Sequence, residues 1–503
     1  MRSANQGVLH SPTPYDKFLN IFHQSCTDVS IQVQVDLSCQ WDAIEVSAAM
    51  DVWLTPPVCH VVSSATLLGR RQPKTFDYVL VFTSFPGQSI DSQRSPSMVL
   101  WRSNDPLPPK SQGMVCNLDK IVTSAWERKR PILHHLNADT TWLIQLPVPN
   151  PSTSSTSRRW FNVLIDPWLF GPQSDVASWF SKQWHAIPPA LASVPDVENL
   201  CRKVETITPG QEDPFDSSDH AHPIDAIVLS HEFTDHTHQL TLCQMPKSTR
   251  VFAASKAAAL VQSWNHFDSI SEIPSLQDAS EWRDQTISLI PEVNTGEHTK
   301  SWVKVGRLQK EGDAFYYHSA LAIIFDLSSS STPESAPVEA IVYTPHGVRA
   351  EALNVLQRSN DETDQTVHHP IQTLALLHGL HDVSLDWGQQ LNLGAFNALS
   401  AQRVVESKYW IGTHDEVKKG GGLVSWFLRR KVYTVREALE AESKSDTNLE
   451  EPSEKSAGAG FWSRKPQTQG GGDELAHLEE GGVDVGGRGK YYELRTGESM
   501  VLS

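Results

Sequence analysis

Hydrophobic and polar positions alternate with period two in the first part of the chain. Val29, Ile31, Val33, Val35 and Leu37 have polar neighbours, as do Phe76, Tyr78, Leu80 and Phe82. That pattern predicts strands with one buried face. Pro and Ser clusters such as Ser103 to Gln112 break this region into short pieces. Residues 1–128 therefore read as a β-rich N-terminal extension without evident chemistry. From about Pro131 the apolar runs lengthen. Thr141–Pro147 and Trp160–Ile165 predict strands, joined across the Ser/Thr-rich PSTSSTSRR as a hairpin. Ala226–Ser230 predicts a short buried strand, with a helical mix from Thr241 onward. Ala320–Asp326 and Ala340–Thr344 predict a strand pair split by the polar SSSSTPESAP. Leu374–His378 and Tyr409–Gly412 predict two more strands. Between them, Gly394–Glu406 is amphipathic at helical spacing, with Phe396, Leu399 and Val404 on one side.

Strand pairs followed by helices predict an α+β fold of layered sheets covered by helices. The main domain is expected over residues 129–436. Residues 437–489 read as a disordered insertion, acidic first and then Gly-rich, with ten of the chain's 28 glycines between Gly458 and Gly489. Such a composition buries too little apolar surface to offset the entropy of ordering. Residues 490–503 regain strand character and are expected to return to the core.

Charge and composition remove several classes. The 503 residues carry 42 Lys+Arg against 59 Asp+Glu, a net charge of −17. That balance opposes nucleic acid or an anionic membrane as principal partner, since both recruit positive surfaces. No apolar run approaches the ~18 residues of a spanning helix, and the first residues lack a secretory apolar core. The expectation is an intracellular, cytoplasmic protein acting on a small molecule. The six cysteines are scattered without a C-x-x-C pair, so they read as reduced and structural. G-x-S-x-G, G-x-G-x-x-G and P-loop motifs are missing.

Histidine, with 21 copies, is the metal-capable residue in surplus. In IDAIVLSHEFTDHTHQL, His231, Asp235 and His236 follow a buried strand. Imidazole and carboxylate suit borderline divalent metals such as zinc. Other strand ends deliver further groups: Asp166 after WFNVLI, His346 after AIVYT, and His414-Asp415-Glu416 after Tyr409–Gly412.

This succession resembles the metallo-β-lactamase superfamily over roughly residues 131–435 and the last dozen. The branch most alike holds ascorbate-6-phosphate lactonases and N-acyl phosphatidylethanolamine phospholipase D. The resemblance implies an αββα sandwich with a metal site at the edge of two packed sheets. The family's H-x-H-x-D-H stands here as His231-Glu232-Phe233-Thr234-Asp235-His236. Asp166 matches an aspartate that orients ligands, and His414 matches the last histidine. His298 is the favoured intermediate histidine, with His318 the other candidate. Phe233 replaces one motif histidine, and His346 stands where the family has its bridging aspartate. A phenyl ring donates no electron pair, and without the bridge two cations would repel strongly.

The expectation is therefore a single divalent metal, zinc by ligand type, at His231, Asp235, His236 and His414, with His346 and His298 as further candidates. Asp235 or Glu232 would serve as general base, and Glu416 would orient His414. The implied activity is hydrolysis of an ester, lactone, amide or phosphodiester through a metal-activated water. The alternative is a catalytically inactive protein of the same fold with a binding or scaffold role. Among the remaining groups, His378 and His381 read as structural or pocket-lining, and His134 and His135 as capping or surface residues. Lys418 to Gly422 reads as a solvated loop, with contact to a substrate anion as the other option. Arg429, Arg430 and Lys431 read as a charged helix end.

Overall fold

The computed structural model describes strands at 50–55, 58–69, 72–83 and 99–102, and residues 111–149, 158–175, 177–209, 222–290, 301–310, 316–327, 338–356, 371–447, 482–487 and 489–503. The chain divides into two compact units, residues 1–105 and 106–503. In the first, β1 (Met50–Thr55), β2 (Val58–Gly69), β3 (Gln72–Thr83) and β4 (Val99–Arg102) form an antiparallel sheet in sequential order. The alternation at Phe76–Phe82 lies within β3; the one at Val29–Leu37 lies outside the described residues.

The second unit holds two large sheets. Across the first run β11 (Ile270–Glu272), β10 (Arg250–Ala253), β9 (Ala226–Leu229), β7 (Trp160–Ile165), β6 (Trp142–Pro147), β5 (Ile132–His135) and β24 (Ser499–Val501). Across the second run β12 (Ile287–Ser288), β13 (Val303–Leu308), β14 (Ala320–Phe325), β15 (Glu339–Thr344), β16 (Gln372–His378), β19 (Tyr409–Ile411), β23 (Lys490–Tyr492) and β22 (Val483–Asp484). A small sheet joins β18 (Gln390–Leu393), β17 (Asp382–Leu385) and β21 (Leu428–Lys431), and a ribbon pairs β20 (Lys419–Gly421) with β8 (Lys182–Trp184).

Because successive strand residues face opposite sides, each large sheet feeds two cores. Ile144, Val163, Ile165 and Val228 of the first sheet meet Val305, Ile323, Ile341, Leu377 and Ile411 of the second in one buried cluster. The opposite face of the first sheet, with Leu143, Leu164 and Ile227, is covered by α1 (Leu118–Arg128), α2 (Val194–Ile207) and α4 (Ser255–Ser263). Between these helices lies the single turn α3 (Gln239–Leu242). The far face of the second sheet, with Ala322, Ile324, Val342 and Trp410, packs on the buried sides of two helices. Numbering on past the short α5 (Trp282–Gln285), these are α6 (Gly394–Val405) and α7 (Val435–Thr447). Sheets covered on both faces explain why the central strands read as continuous apolar runs. The mixed architecture agrees with the expected α+β class.

The last residues tie the sheets together. β23 extends the second sheet, and β24 pairs antiparallel with β5 in the first. Several expectations are corrected. The unit boundary falls at Asp105, and α1, expected within the extension, is part of the second unit's core. The acidic segment expected to be disordered from residue 437 begins as α7, with Ala438 fully buried; residues 448–481 lie outside the described residues. Arg429 to Lys431 belong to strand β21, not a helix end. Phe396 is exposed, because Ala395, Ala398, Leu399 and Val405 form the buried side of α6. His134 and His135 are buried in β5, where Ser499 and Gln145 hydrogen-bond the first ring and the Leu494 carbonyl bonds the second. Among the described residues, no helix is long and apolar enough to cross a membrane.

Candidate metal centre

Parallel pairing places the carboxyl ends of β7 and β9 side by side, and likewise those of β15, β16 and β19. Loops beyond such ends are where α/β sheets build sites. Asp166 leaves β7 with φ 41°, and His414 follows β19 with φ 59°. Left-handed backbone at non-glycine residues costs free energy and persists only where the surroundings enforce it. Here the enforcement is visible: the Asp166 N–H donates to the Val228 carbonyl at 3.1 Å, and the His414 N–H to the Asp139 carbonyl at 2.9 Å. After β9, the turn closes with the His236 and Thr237 N–H groups donating to the Phe233 carbonyl. After β15, Gly347 has φ 83°, and a side chain there would come within 2.7 Å of Leu393 and Asn397. Glycine is required for His346 to enter the site.

Three imidazoles share one arrangement. His236 Nδ1 donates to Asp166 Oδ2 at 2.7 Å, His414 Nδ1 to Asp139 Oδ1 at 2.8 Å, and His346 Nδ1 to Asn392 Oδ1 at 2.9 Å. Carboxylate and amide oxygens only accept, so these partners fix a proton on each Nδ1 and leave Nε2 of each neutral ring with a lone pair. His236 Nε2 lies 3.0 Å from His346 Nε2 and 3.7 Å from Asp235 Oδ1. His414 Nε2 lies 3.9 Å from Asp235 Oδ2. The donor atoms of Asp235, His236 and His414 all lie within 4.8 Å of one another, as do those of His231, His236 and His346. Two ligands ~2.0–2.1 Å from a tetrahedral zinc are roughly 3.3–3.4 Å apart. The observed spacings bracket that value. Two ring nitrogens 3.0 Å apart must share a proton or a cation between them. The donor set of Asp235, His236 and His414 fits a small divalent cation, while His346 groups with His231 and His236 instead.

His231 differs. Its Nε2 faces the Tyr317 carbonyl at 2.7 Å, an acceptor that requires the proton on that nitrogen. Its Nδ1 lies 2.8 Å from Ser230 Oγ. Phe233, half-buried, stacks parallel to this ring with centroids 6.1 Å apart and stands edge-on to His346 at 5.6 Å. The motif position that lacks a nitrogen is thus lined by a phenyl ring.

Lys418 occupies the other side. Its Nζ donates to Asp235 Oδ2 at 2.6 Å and pairs with Asp139 Oδ2 at 2.8 Å, with only 6% of the side chain exposed. Burial by itself would raise Asp139 and Asp235; Lys418 and the imidazoles outweigh it and hold both below the usual carboxylate range. Burial lowers the imidazoles, and for His231 and His346 neighbouring histidines push the same way, well below the ordinary value. For His236 the charges of Asp235 and Asp166 outweigh burial, and its pKa rises. His414 is lowered, burial prevailing over Asp139. Asp175, which accepts from the Thr234 N–H at 2.9 Å, is raised to about 6 by burial and then by Asp235.

The structure brings Asp166, His231, Asp235, His236, His346 and His414 into one neighbourhood, with His346 Nε2 facing His236 and His231 Nε2 tied to the Tyr317 carbonyl. Glu416 is corrected. It accepts from His185 Nδ1 at 2.7 Å and from two backbone N–H groups, and Asp139 takes the place beside His414. Glu232 accepts from the Tyr316 hydroxyl, and its other oxygen is buried without a hydrogen bond. His318 bonds the Leu391 carbonyl at 3.2 Å, outside the cluster, and His298 lies outside the described residues. His378 is structural, bonded to Asn397 and its own Gly379 carbonyl. Lys418, expected in a solvated loop, is buried. Asp139, Asn392, Tyr343 and Asp175 gave no signal in sequence, since each sits far along the chain from the motif; Tyr343 donates to Asp166 at 2.8 Å.

No family model matches the chain. No curated protein matches it either. Among solved structures, it is similar to an isothiocyanate hydrolase from Delia radicum gut bacteria, at 14% identity and TM-score 0.34, covering 63% of this chain and 93% of that one. It is similar to a possible metal-dependent hydrolase from Veillonella parvula, at 12% identity and TM-score 0.35, covering 63% and 95%. A third is Igni18, a metallo hydrolase from the hyperthermophilic archaeon Ignicoccus hospitalis, at 9% identity and TM-score 0.28, covering 56% and 82%.

Proposed function

We propose that this chain is a metal-dependent hydrolase on an αββα framework of metallo-β-lactamase type, holding one divalent metal, zinc by ligand type. Its substrate is a small molecule with an ester, lactone, amide or phosphodiester bond. One observation carries the reading: His236 and His414, each with Nδ1 held by a carboxylate, bring a second ring nitrogen together with Asp235 so that the three donor atoms lie within 4.8 Å of one another. His236, His414 and Asp235 would hold the ion, leaving a position open, and when bound it polarises a carbonyl or phosphoryl oxygen and acidifies water. Asp166, Asn392 and Asp139 keep the rings oriented. Asp235, one oxygen committed to Lys418, is a ligand and a poor base. Glu232, with one oxygen free of hydrogen bonds, is the proton acceptor this reading assigns.

Phe233 against His231 and His346 favours a second reading, an inactive protein with a binding role. Metal analysis of wild type, His236→Ala and Asp235→Ala, with turnover assays on esterase, lactonase and phosphodiesterase probes, separates them. Hydrolysis predicts bound metal in wild type, its loss in both variants, and metal-dependent turnover. Metal without turnover on any probe favours the binding role, and equal, negligible metal in all three proteins ends the one-metal reading.

A further inference from the structure

A buried lysine beside two carboxylates and an imidazole is a costly arrangement unless its charge is used. Lys418 lies four residues beyond His414, just before β20, with its ammonium 5.3 Å from the centre of the Trp168 ring. It spans Asp139 and Asp235 at 2.8 and 2.6 Å. Asp139 in turn holds His414 Nδ1, and Asp235 turns its remaining oxygen toward His236 Nε2. The ammonium therefore sits on Oδ2 of Asp235, the oxygen that also lies 3.9 Å from His414 Nε2, while Oδ1 lies 3.7 Å from His236 Nε2.

We propose that Lys418 is a tethered substitute for a second metal ion and limits this site to fewer divalent cations than its donors could hold. The proposal deepens the one-metal reading and rests on it. Two divalent ions held close together need anionic donors to offset their repulsion. Three buried carboxylates, Asp139, Asp166 and Asp235, surround the imidazoles, and Lys418 compensates two of them. A protonated amine has no lone pair, so it fills the space and charge of a cation without ligating one. Asp175 feels the same ammonium, so removing it leaves a more negative pocket.

The test counts zinc per chain by native mass spectrometry on full-length wild type, Lys418→Met and Lys418→Arg, each equilibrated with zinc and freed of excess. Lys418→Met is expected to carry one zinc more than wild type, and Lys418→Arg the same number as wild type. Equal counts in wild type and Lys418→Met overturn the proposal, as does an extra ion in Lys418→Arg. The one-metal reading fails separately: a wild type with no zinc and a Lys418→Met with one would keep the role of the lysine and discard that reading. Circular dichroism establishes folding, and if Lys418→Met does not fold, Lys418→Gln reads the same increment.

Discussion

Asp166 is the residue through which the two sheets hold the site, and Asp166→Asn isolates its charge. The carboxylate is fully buried. It accepts from the Ser230 N–H at 2.8 Å, His236 Nδ1 at 2.7 Å, the Tyr343 hydroxyl at 2.8 Å and the Ser230 hydroxyl. Asparagine has the same shape and tolerates the left-handed backbone at φ 41°, so strain is not added. Whichever way the amide turns, its NH2 faces donors. With the amide oxygen toward His236, three bonds lose their charge assistance, at about 1 kcal/mol each, and the Ser230 N–H loses its acceptor, at about 1–3 kcal/mol. Relief of a buried charge offsets part of this sum, leaving an expected loss of about 3 kcal/mol in unfolding free energy. His236 also loses the partner that fixes its tautomer, so zinc affinity should fall about 10–100-fold. Urea denaturation and chelator competition measure the two effects. Tyr343→Phe, which removes one donor, should cost about 1 kcal/mol. A loss below about 1 kcal/mol in Asp166→Asn, with zinc affinity unchanged, would refute the reasoning.

Other outcomes follow from the same geometry. His134 and His135 have pKa values lowered to about 4, first by burial, against an ordinary 6.5. Between those values the unfolded chain binds more protons, so stability present above pH 6.5 should drain away as pH falls to about 4; His134→Gln should make urea midpoints fall less steeply over that window. Arg130 makes a two-pronged contact to Glu339 at 2.7 and 2.8 Å and bonds the Leu502 carbonyl at 2.7 Å; Arg130→Ala should lose about 2–3 kcal/mol by denaturation, and a change within error would mean the contact is spent on solvent. Phe233→His returns a nitrogen to the motif, yet His231 remains tied to Tyr317; zinc per chain should stay at the wild-type number, and a gain would show His231 free to turn.

The sequence by itself determined the strands of the main domain. β6 and β7 fall on Trp142–Pro147 and Trp160–Ile165, within the segments that alternation and apolar runs mark, because burial on both faces leaves a continuous apolar signature. The motif after β9 and the histidines after β15 and β19 were legible for a related reason: a strand end fixes which side chains enter the loop beyond it. Periodicity was less decisive at surfaces. Phe396 has helical spacing but faces solvent, and Arg429 to Lys431 have no pattern that separates a strand edge from a helix end.

Only the tertiary structure decided the division of labour among the polar groups. His231 and His346 are the same residue type at similar strand ends, and nothing local tells that one meets a backbone carbonyl and the other a lone pair. Asp139 displaces Glu416 as the partner of His414, although Glu416 is two residues away and Asp139 is 275. Lys418, in a glycine-rich run that reads as solvated, is buried against carboxylates from two distant loops. Short-range patterns record which face of an element is apolar. Hydrogen bonds and charge pairs act over a few ångströms of space between segments far apart in the chain, so they exist only once the sheets have packed.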